Sequence, residues 1–250
     1  MYWIIFLLVF AHSDSAATDV HAEIEYLGFV ETPSPPSRLD SSEGYQQERF
    51  LVRIQDGNLA IEAWEPRNQY LATYHEVFGN EYRGYDGGEW GGKLTLTTPS
   101  GHEEVLLEDN IRSIHPVGDD LLVFTGLGHL GLSRGAVFRV IDAGYSPTVQ
   151  KVTLLPEVPY AIVADLRRKD LEQFLIVGRH MLITLFHIRG RDYIRVSSTP
   201  QENPWPGATS AVMMEDTLVV GMRGGIAVAE IDNSGRFLSS VRYFVPDGVR

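Results

Sequence analysis

The sequence predicts an all-β domain built from a repeated four-stranded antiparallel unit. Three observations carry this. From Arg49 onward, apolar runs of five to eight residues rich in Val, Ile, Leu, Phe and Thr alternate with Gly, Pro, Asp and Asn turn signals. No long window shows helical periodicity. The same order of four short runs recurs about every 45 to 50 residues, a spacing typical of stacked β units.

The units read off in order. The first comprises Ile111–Val117, Asp120–Thr125, Gly135–Asp142 and Thr148–Leu154. The second comprises Pro159–Val163, Gln173–Gly178, Met181–Ile188 and Tyr193–Val196. The third comprises Thr209–Met213, Asp216–Gly221, Gly225–Ile231 and Phe237–Tyr243. Earlier residues supply parts of further units. Arg49–Ile54 and Asn58–Trp64 flank Asp56-Gly57, a pair that accepts the positive φ of a tight hairpin turn. Gly91–Thr97 and His102–Leu107 form a second hairpin, the outer half of the unit that precedes residue 111. At about 46 residues per unit the chain from residue 18 holds five units, or four and a cap. The fold class expected is a small β-propeller of about four to five four-stranded blades, with a β-sandwich as the alternative.

In its Gly-Ala-Val-Phe-Arg-Val and Asp-Asp-Leu-Leu-Val-Phe phrasing, the region from about 90 to 245 resembles the WD40/YVTN-like and quinoprotein-like propeller superfamily. The Trp-Asp dipeptide and Gly-His start of WD40 repeats are absent. The resemblance implies a fold and brings no catalytic residue with it.

The N-terminus reads as a targeting segment. Tyr2–Ala11 is an apolar run too short to span a bilayer, and Ser15 and Ala17 are the small residues a signal peptidase needs before its cut. Residues 1–17 are therefore expected to be a signal peptide, with no stable membrane insertion after cleavage. Residues 18–48, with Pro33, Pro35, Pro36 and a polar stretch from Ser37, are expected to be a partly extended, flexible lead-in to a propeller domain over 49–250. The chain has no Cys and no Asn-x-Ser/Thr acceptor, so the expected location is a bacterial periplasm or the medium.

Charge narrows the partners. With 33 acidic against 21 basic residues the net charge is −12, which repels a phosphate backbone and suits a basic protein partner. Loss of residues 1–17 would remove Asp14 alone and leave −11. No cysteine means no Cys-ligated metal and no thiol nucleophile, and neither Gly-x-Ser-x-Gly, His-Glu-x-x-His nor an Asp-x-Asp-x-Asp-Gly loop occurs. No cofactor, metal or catalytic residue is assigned.

Two segments stand out as recognition loops. Asn80–Gly92 sets Tyr82, Arg83, Tyr85, Asp86, Glu89 and Trp90 among five glycines. Aromatic side chains on such a frame give large contact area at small entropic cost. Gly126–Gly131 matches G-x-G-x-x-G after a strand, but the residues that follow read as a turn and another strand. Without a helix the match has no phosphate-binding dipole. What remains is a long glycine-rich loop carrying His129, Ser133 and Arg134. The expected function is a non-enzymatic, exported binding protein that uses Tyr82, Arg83, Tyr85, Asp86, Glu89, Trp90, His129 and Arg134. It would belong with inhibitors or immunity proteins against an envelope-active toxin. The alternative is an envelope hydrolase or lyase using Glu89, Asp86 and His129, with Asp165 joining them if the blades close.

Overall fold

A computed structural model describes residues 19–36, 48–64, 71–167, 172–188, 191–198 and 204–248. The predicted signal segment lies outside the described residues. In chain order the elements are α1 (Val20–Tyr26), β1 (Phe29–Thr32), β2 (Phe50–Gln55), β3 (Asn58–Ala63), β4 (Leu71–Val77) and β5 (Asn80–Asp86). Next come β6 (Gly92–Thr97), β7 (Glu103–Leu107), β8 (Ile111–Val117), β9 (Asp120–His129), β10 (Leu132–Ile141) and β11 (Thr148–Leu155). They are followed by β12 (Ala161–Ala164), β13 (Glu172–Val177), β14 (Met181–Ile188) and β15 (Arg191–Ser198), then β16 (Ser210–Met214), β17 (Thr217–Met222), β18 (Gly225–Glu230) and β19 (Arg242–Pro246).

Among the described residues the strands form five antiparallel sheets. Three have four strands, β4–β7, β8–β11 and β12–β15; one has five, β16–β19 with β1 on its outer edge; and one has only β2 and β3. Each is a blade, and the fold is the small β-propeller the repeats predict. The two hairpins read from sequence are present: β2 and β3 turn at Asp56-Gly57, both in the left-handed region, and β6 pairs with β7. The last strand of the third unit lies further along than expected. Phe237 makes only an isolated bridge to Ile231, and pairing with β18 begins at Arg242.

Burial between blades holds the array together, at about 1.5–3 kcal/mol for each fully buried Val, Leu, Ile or Phe. Tyr82, Leu94, Ile111 and Leu121 fill the seam between β4–β7 and β8–β11. Phe124, Phe174, Ile176 and Ile183 fill the next one, and Leu175, Leu182, Leu218 and Tyr243 the one after that. Phe50, Val52, Val219 and Phe244 join the five-stranded sheet to β2–β3.

The lead-in is more ordered than its composition suggests. Asp19 caps α1 by accepting the His21 and Ala22 N–H groups, and the helix buries Val20 and Ile24 in that last seam. β1 pairs with β19, and Glu31 forms a bidentate ion pair with Arg242 across the two strands. Residues 19–32 cannot bury enough surface alone; the edge of the last blade and the side of β3 supply it. The folded body therefore begins well before residue 49.

His115, on β8, is held within 2.6 Å of the Ser113 hydroxyl and edge-on to the rings of Phe124 and Phe174. Burial there, with a smaller repulsion from His75, lowers its pKa to about 4. An unfolded chain binds that proton from about pH 6.5, so the unfolded state gains protons first as pH falls. The contribution is intact above pH 6.5 and on the order of 3 kcal/mol is lost by pH 4. The thermal midpoint should therefore drop more steeply between pH 7.5 and 5 in the wild type than in His115→Gln. Equal slopes would show that this imidazole is not the titrating group.

Candidate functional site

Antiparallel strand order sends the β5–β6, β7–β8 and β9–β10 connections to the same end of the propeller. There the two segments singled out in the sequence meet. Asp86, the last residue of β5, accepts the Gly88 N–H at 2.9 Å and receives Arg112 Nη1 at 2.6 Å. Arg112 also donates from Nε to the Gly126 carbonyl at 3.1 Å, so one guanidinium fastens the 87–91 turn to the next blade. Asn110, buried in the β7–β8 connection, works from the other side. It donates to the Gly88 carbonyl at 2.8 Å, and its side-chain oxygen accepts the Gly87 N–H at 3.2 Å. Asp109 beside it accepts from Thr125 Oγ1 at 3.0 Å and faces Arg134 at 3.5 Å.

These contacts hold a single 3-10 turn, Gly88–Trp90, against the β9–β10 hairpin, where Glu89 Oε2 lies 2.9 Å from His129 Nε2. The two segments enclose a groove of about 580 Å3 lined by Trp90, Lys93, Val105, Glu108, Leu127 and Arg134 among others. The groove is open to solvent; Trp90 in its lining is 85% exposed, and the tip of the β9–β10 hairpin that contributes Leu127 and Arg134 exposes Leu130 at 93%.

The glycine-rich segment is not the long loop expected. β9 and β10 pair continuously to His129 and Leu132, and the turn is only Leu130-Gly131. Its glycines have steric jobs. A Cβ at Gly126 would come within 2.7 Å of Pro159, one at Gly128 within 2.9 Å of the Tyr160 hydroxyl, and one at Gly135 within 2.6 Å of the Glu157 carbonyl. They let the β11–β12 connection lie flat on the hairpin, and no helix follows to make a phosphate site.

Leu130 is the anomaly. It takes φ 46°, a conformation that suits Asn, Asp or Gly in such a turn, and its apolar side chain points into water. Phe78 shares the strained conformation, but its ring stacks on Tyr145 at 5.4 Å. No ring contact or core cluster engages Leu130 among the described residues.

The predicted residues divide. Glu89, Trp90 and Arg134 line the groove, and Asp86 and His129 adjoin it, Asp86 through the Gly88 N–H and His129 through Glu89. Tyr85 adjoins it through Lys93, whose ammonium lies 5.7 Å from the tyrosine ring centre. Tyr82 does not belong: it is fully buried in a seam, its hydroxyl donates to the Ala143 carbonyl at 2.6 Å, and burial pushes its pKa up to about 12. Arg83 points to the other side of the sheet from Tyr82 and pairs with Glu81 at 2.6 Å. Asp165 lies at the opposite end, its carboxylate bound by Arg167 and Gln173, so it does not converge with Asp86, Glu89 and His129. Asp109, Asn110 and Arg112, which build the site, carried no signal in sequence. Among the described residues no group of three or more His, Asp or Glu is placed to hold a metal ion.

No protein-family model and no curated protein sequence matches the chain. Among solved structures it is similar to a GH74 enzyme from Niastella koreensis, at 13% identity, TM-score 0.44, 68% of this chain and 29% of that one. It is also similar to the β-propeller domain of Vanderwaltozyma polyspora Nup133, at 10% identity, TM-score 0.34 and 78% and 65% coverage. The Dos1 propeller compares at 12% identity, TM-score 0.36 and 78% and 62% coverage. Likenesses at this level of identity extend no further than the fold.

Asn110→Leu would leave the Gly87 N–H and Gly88 carbonyl without their side-chain partner. The expected outcome is a loss of about 1–3 kcal/mol in unfolding free energy. Protease cleavage at 87–91 should also quicken, as read by mass spectrometry of a limited digest.

Proposed function

We propose that this protein is a non-enzymatic binder of another protein, and that the groove between the 87–91 turn and the β9–β10 hairpin is where the partner docks. One observation carries the reading: Leu130, at the tip of the hairpin whose Leu127 and Arg134 line the groove, combines left-handed backbone strain with near-complete exposure, and Trp90 in the groove lining is exposed as well. The strain costs folding free energy and the exposure forgoes the gain of burial, and an apolar anchor completed by a partner recovers both. The supporting geometry is an exposed aromatic, Trp90, with Val105 and Leu127 set among charged residues of both signs, in keeping with the apolar centre and polar rim of a protein-recognition surface.

The chemistry of the partner follows from charge. Glu89, Glu108 and Asp109 outnumber Lys93 and Arg134 in the groove lining, and the chain carries −12 overall, so a partner surface with an apolar protrusion bordered by Lys or Arg is complementary. With the signal-like N-terminus, this profile fits an exported inhibitor or immunity protein of the bacterial envelope. Asp86 is engaged by Arg112 and the Gly88 N–H, so its carboxylate serves to hold the turn.

The test is a stoichiometric partner captured from periplasmic extract and measured by calorimetry. Trp90→Ala should weaken it by about 2 kcal/mol, a hot-spot loss. Leu130→Asn separates function from folding. Asn tolerates the turn, so stability should rise by about 0.5–1 kcal/mol while affinity falls. Capture unaffected by both substitutions overturns the site. Turnover of an envelope polysaccharide or ester that Glu89→Gln abolishes overturns the class.

A further inference from the structure

The β4–β5, β6–β7, β8–β9 and β10–β11 connections gather at the end of the propeller opposite the groove, and they carry a second exposed apolar feature. Val77 pairs with Asn80, so β4 and β5 are joined by the two-residue turn Phe78-Gly79, left-handed at both positions with φ 49° and 81°. Asn, Asp or Gly suits the first position of such a turn, and here a phenylalanine holds it. Its ring stacks on Tyr145 of the β10–β11 connection in the next blade, with centroids 5.4 Å apart. Most of the pair still faces solvent, Phe78 being 64% exposed and Tyr145 78%.

Stability does not account for this pair. The strain at Phe78 costs about as much as two stacked rings return. Yet both turns are fixed so as to hold the rings in place. Asn80, buried at the start of β5, donates from Nδ2 to the Ala143 and Gly144 carbonyls at 3.0 and 3.2 Å, and the Tyr82 hydroxyl donates to Ala143 as well. Gly144 leaves room for the phenyl ring: a Cβ there would lie 2.3 Å from Phe78 Cδ2. The aromatic platform is therefore ordered before anything binds to it, which lowers the entropic cost of binding.

Charge around the rings has one sign. The turns beside them, residues 98–102, 118–119 and 142–147, contain Asp119 and Asp142 and no Lys or Arg. Ala143 N–H donates to the Asp119 carbonyl at 3.0 Å, and a Cβ at Gly79 would touch Pro99 at 3.1 Å, so these turns are contiguous with the rings. Asp120 is occupied by Arg139 and by the Asp142 N–H. Among the described residues no hydrogen bond or ion pair engages the carboxylates of Asp119 and Asp142.

We propose that this face binds an arginine side chain presented by a basic protein, with the guanidinium lying on the exposed faces of Phe78 and Tyr145 and its charge balanced by Asp119 and Asp142. The face of an aromatic ring is negative and attracts a cation. A guanidinium is planar and weakly hydrated, so it stacks where an ammonium would keep its water. The two carboxylates and the net charge of −12 repel a phosphate backbone from the same rings. The site lies at the other end from the groove and does not depend on it.

The probe is an acetylated and amidated hexa-arginine peptide, titrated at low salt into the full chain and followed by the ring proton resonances of Phe78 and Tyr145. Both should shift and saturate together. Phe78→Gly, read at Tyr145, and Tyr145→Ala, read at Phe78, should each weaken binding about three- to tenfold. Gly accepts φ 49° without strain, so Phe78→Gly should keep the wild-type circular dichroism spectrum. Asp119→Asn together with Asp142→Asn should weaken binding and flatten its dependence on salt. Rings that do not move with millimolar peptide overturn the proposal. So do variants whose remaining ring titrates at the wild-type concentration, since bulk acidity then holds the peptide. A neutral sugar, maltohexaose, that shifts both rings while the peptide does not overturns the ligand class.

Discussion

Burial of both faces of a sheet is the constraint on which the rest of this molecule depends. Strands β9, β13 and β17 are buried almost continuously, because each lies in the middle of a blade with a neighbour on either side. Strands β2 and β5 alternate between buried and exposed, because their blades pack on one side only. The unpacked sides carry ion pairs within their own sheets, Arg53 with Glu62 and Arg83 with Glu81. Among the described residues the apolar clusters therefore run as four seams through five blades, and the faces of β2–β3 and β4–β7 that point away from them mix charged pairs with scattered apolar side chains such as Leu51 and Val105.

That arrangement explains where the polar chemistry sits. Within a seam a side chain must be apolar or fully paired, so Tyr82 donates to a carbonyl and His115 is kept neutral against two phenylalanine rings. At the ends of the strands the constraint lifts. Asp86, Asp109, Asn110 and Arg112 can then spend hydrogen bonds on shaping turns, and the groove between the first two complete blades is the product. Leu130 and Trp90 stand on that framework exposed, and nothing in the packing of the blades requires them there.

The N-terminal segment shows how far composition can mislead. Read together with Pro33, Pro35, Pro36 and the polar stretch that follows, residues 19–32 suggest an extended lead. Docked, Val20 and Ile24 complete a seam that the two-stranded blade leaves open, and Glu31 pairs with Arg242. The order there comes from surface that the rest of the chain provides.

Sequence by itself determined the repeat, most strand positions from β6 onward, the tight turn at Asp56-Gly57 and the absence of a thiol or familiar metal motif. These are local or periodic properties: alternation, run length and turn chemistry act over two to ten residues. It missed β1 and β4, and read β5 (Asn80–Asp86), which carries Tyr82, Arg83, Tyr85 and Asp86, as part of a loop. Tertiary structure decided the rest. It buried Tyr82, turned Arg83 away, placed Asp165 at the far end and brought Asp109, Asn110 and Arg112 under the candidate groove. It also turned an apparent phosphate motif into a hairpin whose glycines make room for Pro159 and Tyr160. Each of those outcomes depends on which blade lies next to which. That is fixed by closing seams between residues far apart in the chain, a long-range choice that no local pattern records.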